Sequence, residues 1–287
     1  MSTSGGAGES AGRFLDTPHG RIFCMHTRAR GDACLVVVPP FAEEMNKSRR
    51  MWSLLAAQLA AQGIATLIPD LHGTGESDGD FADARWQSWR EDLELACRFA
   101  REQGARRIAL LGVRLGALLA LDYLGTDAAL AAAHGGIVQL ILWQPVLNGQ
   151  QHMNQFLRLK LAAGLRQAAA RETTATLRER LARGERLEVA GYELSRELLA
   201  AIDALDAQAL AQALASAPRV DWLEVSTLET LALLPASERL IEKWRVAGVQ
   251  VRSRVVRGEA FWALQEITIA PELNALTRDV ATEGLAA

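Results

Sequence analysis

The sequence predicts an α/β protein: a mostly parallel sheet with helices on both faces and an inserted helical cap. Three observations carry that prediction. Short, continuous apolar runs alternate with longer helical stretches, the rhythm of strands that cross over through helices. A buried strand, a tight glycine turn and a helix follow one another in "RIALLGVRLGALLALDYL", from Arg107 to Leu124. From Asn148 to about Ser216 the rhythm stops, and the chain turns rich in Leu, Ala, Arg and Gln with no convincing strand.

The elements read in order. "RFLDTPHGRIFCMHTRA" predicts a hairpin turning at Pro18, His19 and Gly20. "ACLVVVPP" is β-branched and apolar throughout, as a strand buried on both faces must be. "SRRMWSLLAAQLAAQG" has helical periodicity, with Ser48 as its N-cap and Gly63 as its stop. "IATLIPD" is a second buried strand, and "ARWQSWREDLELACRFAREQG" an amphipathic helix ending at Gly104. "RIALLG" and "GGIVQLILWQPV" complete the first part of the sheet. After the cap come a strand in "VDWLEVST", a helix in "ASERLIEKWRVAG", a strand in "VQVRSRVVRG" and a last helix after Pro271. The predicted divisions are a disordered tail (1–12), a first core part (13–147), the cap (148–216) and a second core part (217–287).

Composition bounds the function. The chain has 287 residues, 49% hydrophobic and 23% charged, with a formal net charge of -3. Nothing in that balance suggests a nucleic acid or an anionic membrane as partner, and no apolar run is long enough to span a bilayer. Cys24, Cys34 and Cys97 show no metal-ligand spacing; they predict free, buried thiols in a reducing cytoplasm. Neither a metal nor a cofactor is expected.

The pieces resemble the α/β-hydrolase fold in order. "CLVVVPPF" corresponds to the third strand and the loop that supplies part of an oxyanion hole. "IPDLHGTGESDG" is similar to that family's D-x-x-G-x-G-x-S loop, and "LLGVRLGA" occupies the nucleophile elbow. More narrowly, "PPFAEEMNKSRRMW", "GVRLGALLAL", "LWQPV", "QFLRLK", "EVAGYELS" and "GEAFW" resemble the type 2 hydrolases associated with the exosortase A system. That resemblance implies a bacterial cytoplasmic protein in the setting of exopolysaccharide production and of sorting proteins with a PEP-type C-terminal anchor. It implies no particular reaction, because a fold does not fix function.

An α/β-hydrolase needs a nucleophile, an acid and a histidine, in that chain order. The elbow position holds Arg114, which has no lone pair to attack with. The five histidines are His19, His26, His72, His134 and His152; none follows the cap. The loop where the base belongs reads Gly258-Glu259-Ala260-Phe261-Trp262. Glu229 stands about where the acid belongs, although a solvated loop glutamate explains it equally well. The standard acyl-transfer mechanism is therefore excluded on sequence.

Two functions remain. The first is binding of a small acyl or anionic ligand, or of a pathway partner or second copy, with Phe41, Ala42, Arg114, Leu115, Gln144, Phe261 and Trp262 as candidate site residues. The second is an esterase, thioesterase or acyltransferase in which Glu43, Glu44 or Glu229 activates water. A buried guanidinium demands a partner, and Glu43, Glu44 and Asp70 are the candidates. His152 either overhangs the pocket or packs at the surface.

Overall fold

In a computed structural model, residues 8–125, 136–164, 172–210, 214 and 219–286 are described. The first strands form a hairpin, β1 (Ser10–Thr17) with β2 (Gly20–Thr27), paired antiparallel from Ser10 opposite Thr27 to Thr17 opposite Gly20. Strand pairing thus begins at Ser10, inside the tail expected over residues 1–12, because β2 extends to Thr27 and offers a partner that far back. Residues 1–7 of that tail, and His134, lie outside the described residues.

The sheet continues through β3 (Ala33–Val38), β4 (Ile64–Pro69), β5 (Arg107–Val113), β6 (Ile137–Trp143), β9 (Arg219–Ser226) and β10 (Val251–Arg257). Its order is β1-β2-β4-β3-β5-β6-β9-β10, parallel from β4 to β10 and antiparallel where β2 meets β1 and β4. Period-two alternation divides each central strand between two cores. Ile108 and Leu110 of β5 join one; Ala109, Leu111 and Val113 join the other. The first core takes α2 (Trp86–Glu102) and α3 (Leu115–Gly125); the second takes α1 (Glu43–Ala61). The three cysteines are buried, and burial pushes their thiols well above the ordinary range.

Helix α1 starts five residues before the N-cap expected at Ser48. Ala42 caps it, Glu43 and Glu44 fill its first turn, and the Ser48 hydroxyl donates to Glu44 O at 2.7 Å from inside the helix. Acidic residues suit a helix N-terminus, where the free N–H groups and the dipole are positive. This earlier start brings Glu44 to the edge of the sheet beside the elbow.

Between β6 and β9 lie α4 (Gly149–Gly164), α5 (Thr174–Ala182), α6 (Arg196–Asp203) and α7 (Ala207–Leu210). The same insert also holds a hairpin, β7 (Leu187–Val189) with β8 (Tyr192–Leu194), where no strand was expected. Its two-residue turn, Ala190 and Gly191, has φ of 50° and 87°, the left-handed pair that a tight hairpin requires. Three-residue strands are too short for alternation to stand out from sequence. Helix α3 is apolar from Leu115 to Leu121 because that stretch is covered by the sheet, by α2, and by α4 and α7 of the insert. After β9 come α8 (Pro235–Val246) and, after β10, α9 (Pro271–Ala286), which packs on α1.

Gly116 sets the spacing of α3 from β3. A Cβ there would sit 2.2 Å from Val38 O and 2.5 Å from Pro39 O, both backbone atoms that cannot swing aside. Gly116→Ala is expected to cost about 1–3 kcal/mol as overpacking. Urea unfolding checks it: the midpoint should fall with the slope unchanged.

Candidate functional site

The tight turn that joins β5 to α3 is strained at its centre. Arg114, between β5 and α3, has φ of 53°, a left-handed conformation that costs a non-glycine residue about 1–3 kcal/mol. Three backbone hydrogen bonds hold it: its N–H donates to Trp143 O at 3.0 Å, and its carbonyl accepts from Ala117 N and Val146 N, each at 3.1 Å. Among the described residues, the other non-glycine residues with positive φ are Ala42, Gln144 and Ala190. Arg114 forms a hydrogen bond to Gln144, and Ala42 and Ala190 line the cavity beside the elbow. Such clustering of strain marks functional sites.

The guanidinium is held from three directions. Nε and Nη2 both reach Glu44 Oε1 at 3.4 Å, and Nη1 donates to Gln144 O at 3.0 Å. The Trp262 ring covers it, 5.1 Å from ring centroid to the guanidinium carbon. Of the three candidate carboxylates, Glu44 is therefore the partner. Asp70 is engaged by Arg49 at 2.9 Å and by Glu76 N–H at 2.9 Å. Glu43 accepts from Asn46 and Tyr192.

The remaining expected residues divide. Glu229 lies exposed in the loop after β9. Phe261 is fully buried, edge-on to Trp143 at 6.0 Å, so it belongs to the core under the site and not to a ligand surface. Gln144 also turns away: its Oε1 accepts from Val225 N at 3.1 Å, tying β6 to β9. Leu115 is buried, and its N–H has no hydrogen-bond partner among the described residues; the same holds for the Ala42 N–H.

Beside the elbow, under the insert, is a cavity of about 350 Å³. Phe41, Ala42, Glu43, Glu44 and Trp262 line it, and Glu44 and Trp262 are also the residues that hold the Arg114 guanidinium. The insert contributes His152, Gln155, Phe156 and Leu159, at i, i+3, i+4 and i+7 of α4, one face of a helix. Of these only His152 is singled out from sequence, although the periodicity is legible in "HMNQFLRL". Lys47, one turn after Glu44, completes the polar lining.

Two polar groups in this wall lack partners. His152 is 8% exposed, and among the described residues neither of its ring nitrogens has a hydrogen-bond partner. Burial first, then the charge of Arg114, pushes its pKa down to about 3, so the imidazole is neutral. Glu44 accepts both arginine bonds on Oε1, leaving Oε2 buried and unpartnered among the described residues. Burial raises the Glu44 carboxyl above its ordinary value; the opposing charges of Arg114 and Lys47 offset this only in part.

A sequence profile described as serine aminopeptidase, S33, matches residues 30–193, more than half of the chain. The chain belongs to the S33 serine aminopeptidase family. Its fold is the α/β-hydrolase fold, and solved structures agree in that respect. A thermostable carboxyl esterase from Bacillus coagulans, in complex with glycerol, superposes with a TM-score of 0.66 at 13% identity, covering 96% of this chain and 99% of that one. Est1E from Butyrivibrio proteoclasticus, with ferulic acid bound, gives 0.63 at 14% identity, covering 96% and 100%. A thioesterase domain from the curacin biosynthetic pathway gives 0.57 at 16%, covering 95% and 99%. No curated protein matches the sequence. Among the described residues, no helix is long and apolar enough to cross a membrane.

Proposed function

We propose that this S33-family chain has exchanged serine acyl transfer for the binding of a small acyl ligand beneath its insert. The observation that carries this reading is the cavity of about 350 Å³, walled by Phe41, Phe156, Leu159 and Trp262 and furnished with Glu44, Lys47 and His152. Apolar walls with a few convergent polar groups are what a ligand site of this size needs. The ferulic acid held by Est1E supports an acyl-type occupant. The resemblance of the elbow and flanking motifs to exosortase-associated hydrolases supports an envelope-assembly setting for that ligand, with a pathway partner or second copy as further possibilities.

Thermal unfolding with saturated fatty acids tests the reading. A ligand at a hundred times its dissociation constant stabilises the native state by about 2.7 kcal/mol. Leu159→Glu, at a residue 51% exposed, puts a carboxylate into the apolar wall without disturbing the core. It is expected to abolish the shift. Equal shifts with and without this change would move the ligand elsewhere.

A second reading has one observation behind it. The free Oε2 of Glu44, with a carboxyl raised by burial, is the form a water-activating base takes. The unpartnered Ala42 and Leu115 amides would then steady a developing oxyanion. Acyl thioester hydrolysis lost in Glu44→Gln, yet insensitive to fluorophosphonate, would favour it.

A further inference from the structure

Resting on the acyl-binding reading, we propose that the ligand's head group is a carboxylic acid that shares one proton with Glu44 Oε2 and accepts a hydrogen bond from His152. The wall itself sets these requirements. Glu44 Oε2 is a buried acceptor with no donor among the described residues, and leaving such an atom unpaired is costly. His152, neutral and more than nine-tenths buried, lines the same cavity and keeps one N–H and one acceptor nitrogen unpartnered among the described residues. A head group that donates to Glu44 and accepts from the His152 N–H satisfies both.

A carboxyl group with its proton does both. A sulfate has no proton to offer and would meet Glu44 as a like charge. An ammonium would suit Glu44 but would face the positive Lys47, and Arg114 already neutralises Glu44. A hydroxyl also donates and accepts and leaves the same net charge on the pair; the acyl-binding reading selects the carboxyl over it, and proton uptake tells the two apart. The charged and titratable groups facing Glu44 are Arg114 from the elbow, Glu43 and Lys47 from its own helix, and His152 from α4; Tyr192 of β8 reaches it only through Glu43. Glu43 is exposed and already bonded to Asn46 and Tyr192, so it does not compete for the shared proton. Two carboxylates in contact cannot both stay ionised, so binding of a carboxylate anion takes up one proton from the buffer. No covalent bond forms or breaks.

Isothermal titration calorimetry of the full chain tests this with three ten-carbon probes: decanoic acid, decanol and decyl sulfate. Titrations at pH 6 and 8, in two buffers of different ionisation enthalpy, count the protons. Decanoate should take up about one proton at pH 8, and its affinity should fall about tenfold per pH unit in that range. Decanol should bind independently of pH, and decyl sulfate more weakly than decanoate. In Glu44→Gln, decanoate should bind more tightly at pH 8 with no proton uptake, and decyl sulfate should recover. His152→Phe keeps a ring and removes the N–H, and should weaken decanoate about tenfold. Decanoate binding without proton uptake, or uptake that persists in Glu44→Gln, overturns the shared proton while the acyl-binding reading stands. Failure of all three probes to bind overturns both.

Discussion

Replacing Arg114 with serine is expected to leave ester hydrolysis at the buffer rate, with no labelling by a fluorophosphonate. The elbow would present the hydroxyl well, since φ of 53° at this position is held by backbone bonds and not by the arginine side chain. What is missing is a base. Trp262 stands at the guanidinium where a histidine would stand against a serine, and an indole N–H only donates. His152 is the nearest substitute, yet it is held at about pKa 3. Substituting Arg114 removes the smaller of the two causes; burial, the larger, remains. A neutral imidazole that resists protonation cannot take the serine proton. Loss of triad members from a working serine enzyme costs about 10⁴- to 10⁶-fold in kcat, and that gap should separate this variant from an active esterase. Burst kinetics on a p-nitrophenyl ester, with an adduct on the introduced serine, would sink the argument.

The elbow and the sheet were legible in the sequence for one reason: they rest on short-range patterns. β3, and β5 after Arg107, are apolar on every residue because both their faces are covered, and Gly112 and Gly116 bracket a turn that nothing larger fits. The absence of a nucleophile and of a downstream histidine needed only the order of the elements. The choice of Glu44 over Glu43 and Asp70 was not legible, because it depends on where α1 begins. Shifting that start to Glu43 turns one glutamate toward the elbow and its neighbour toward Tyr192. Gln144 and Phe261 were misplaced for a similar reason. Both follow strands at the sheet's ligand-facing edge, but a φ of 40° turns the Gln144 amide back onto β9, and Trp262 leaves Phe261 beneath it. The wall supplied by the insert was visible as a helix face at His152, Gln155, Phe156 and Leu159, but sequence alone does not say what a helix face meets.

Arg114→Met is expected to destabilise the chain by about 3 kcal/mol near neutral pH, the low end for breaking a buried ion pair, since the two side chains retain 17% and 22% of their exposure. Methionine keeps much of the volume and any backbone strain, so the loss isolates the charge. It strands Glu44, whose Oε2 already lacks a donor, and it removes the cation from the face of Trp262. The sign of the pH dependence follows from Glu44. Its carboxyl is raised in the folded state, so over the window between the ordinary and the raised value the folded chain holds a proton that the unfolded chain has released. Stability from this group therefore falls as pH rises through that window. Arg114 opposes the rise; without it the folded value climbs further and the window widens upward. The cost of Arg114→Met should be smallest near pH 4, where Glu44 is protonated in both states, and should grow toward pH 7.5. In a Glu44→Gln background the same substitution should cost about 1–2 kcal/mol less, because no charge is left uncompensated. Urea unfolding of the four proteins at pH 4.5, 6.0 and 7.5 measures both effects. A cost that is flat with pH and unchanged by Glu44→Gln would show that Arg114 stabilises the elbow by packing on Trp262 and not through the pair.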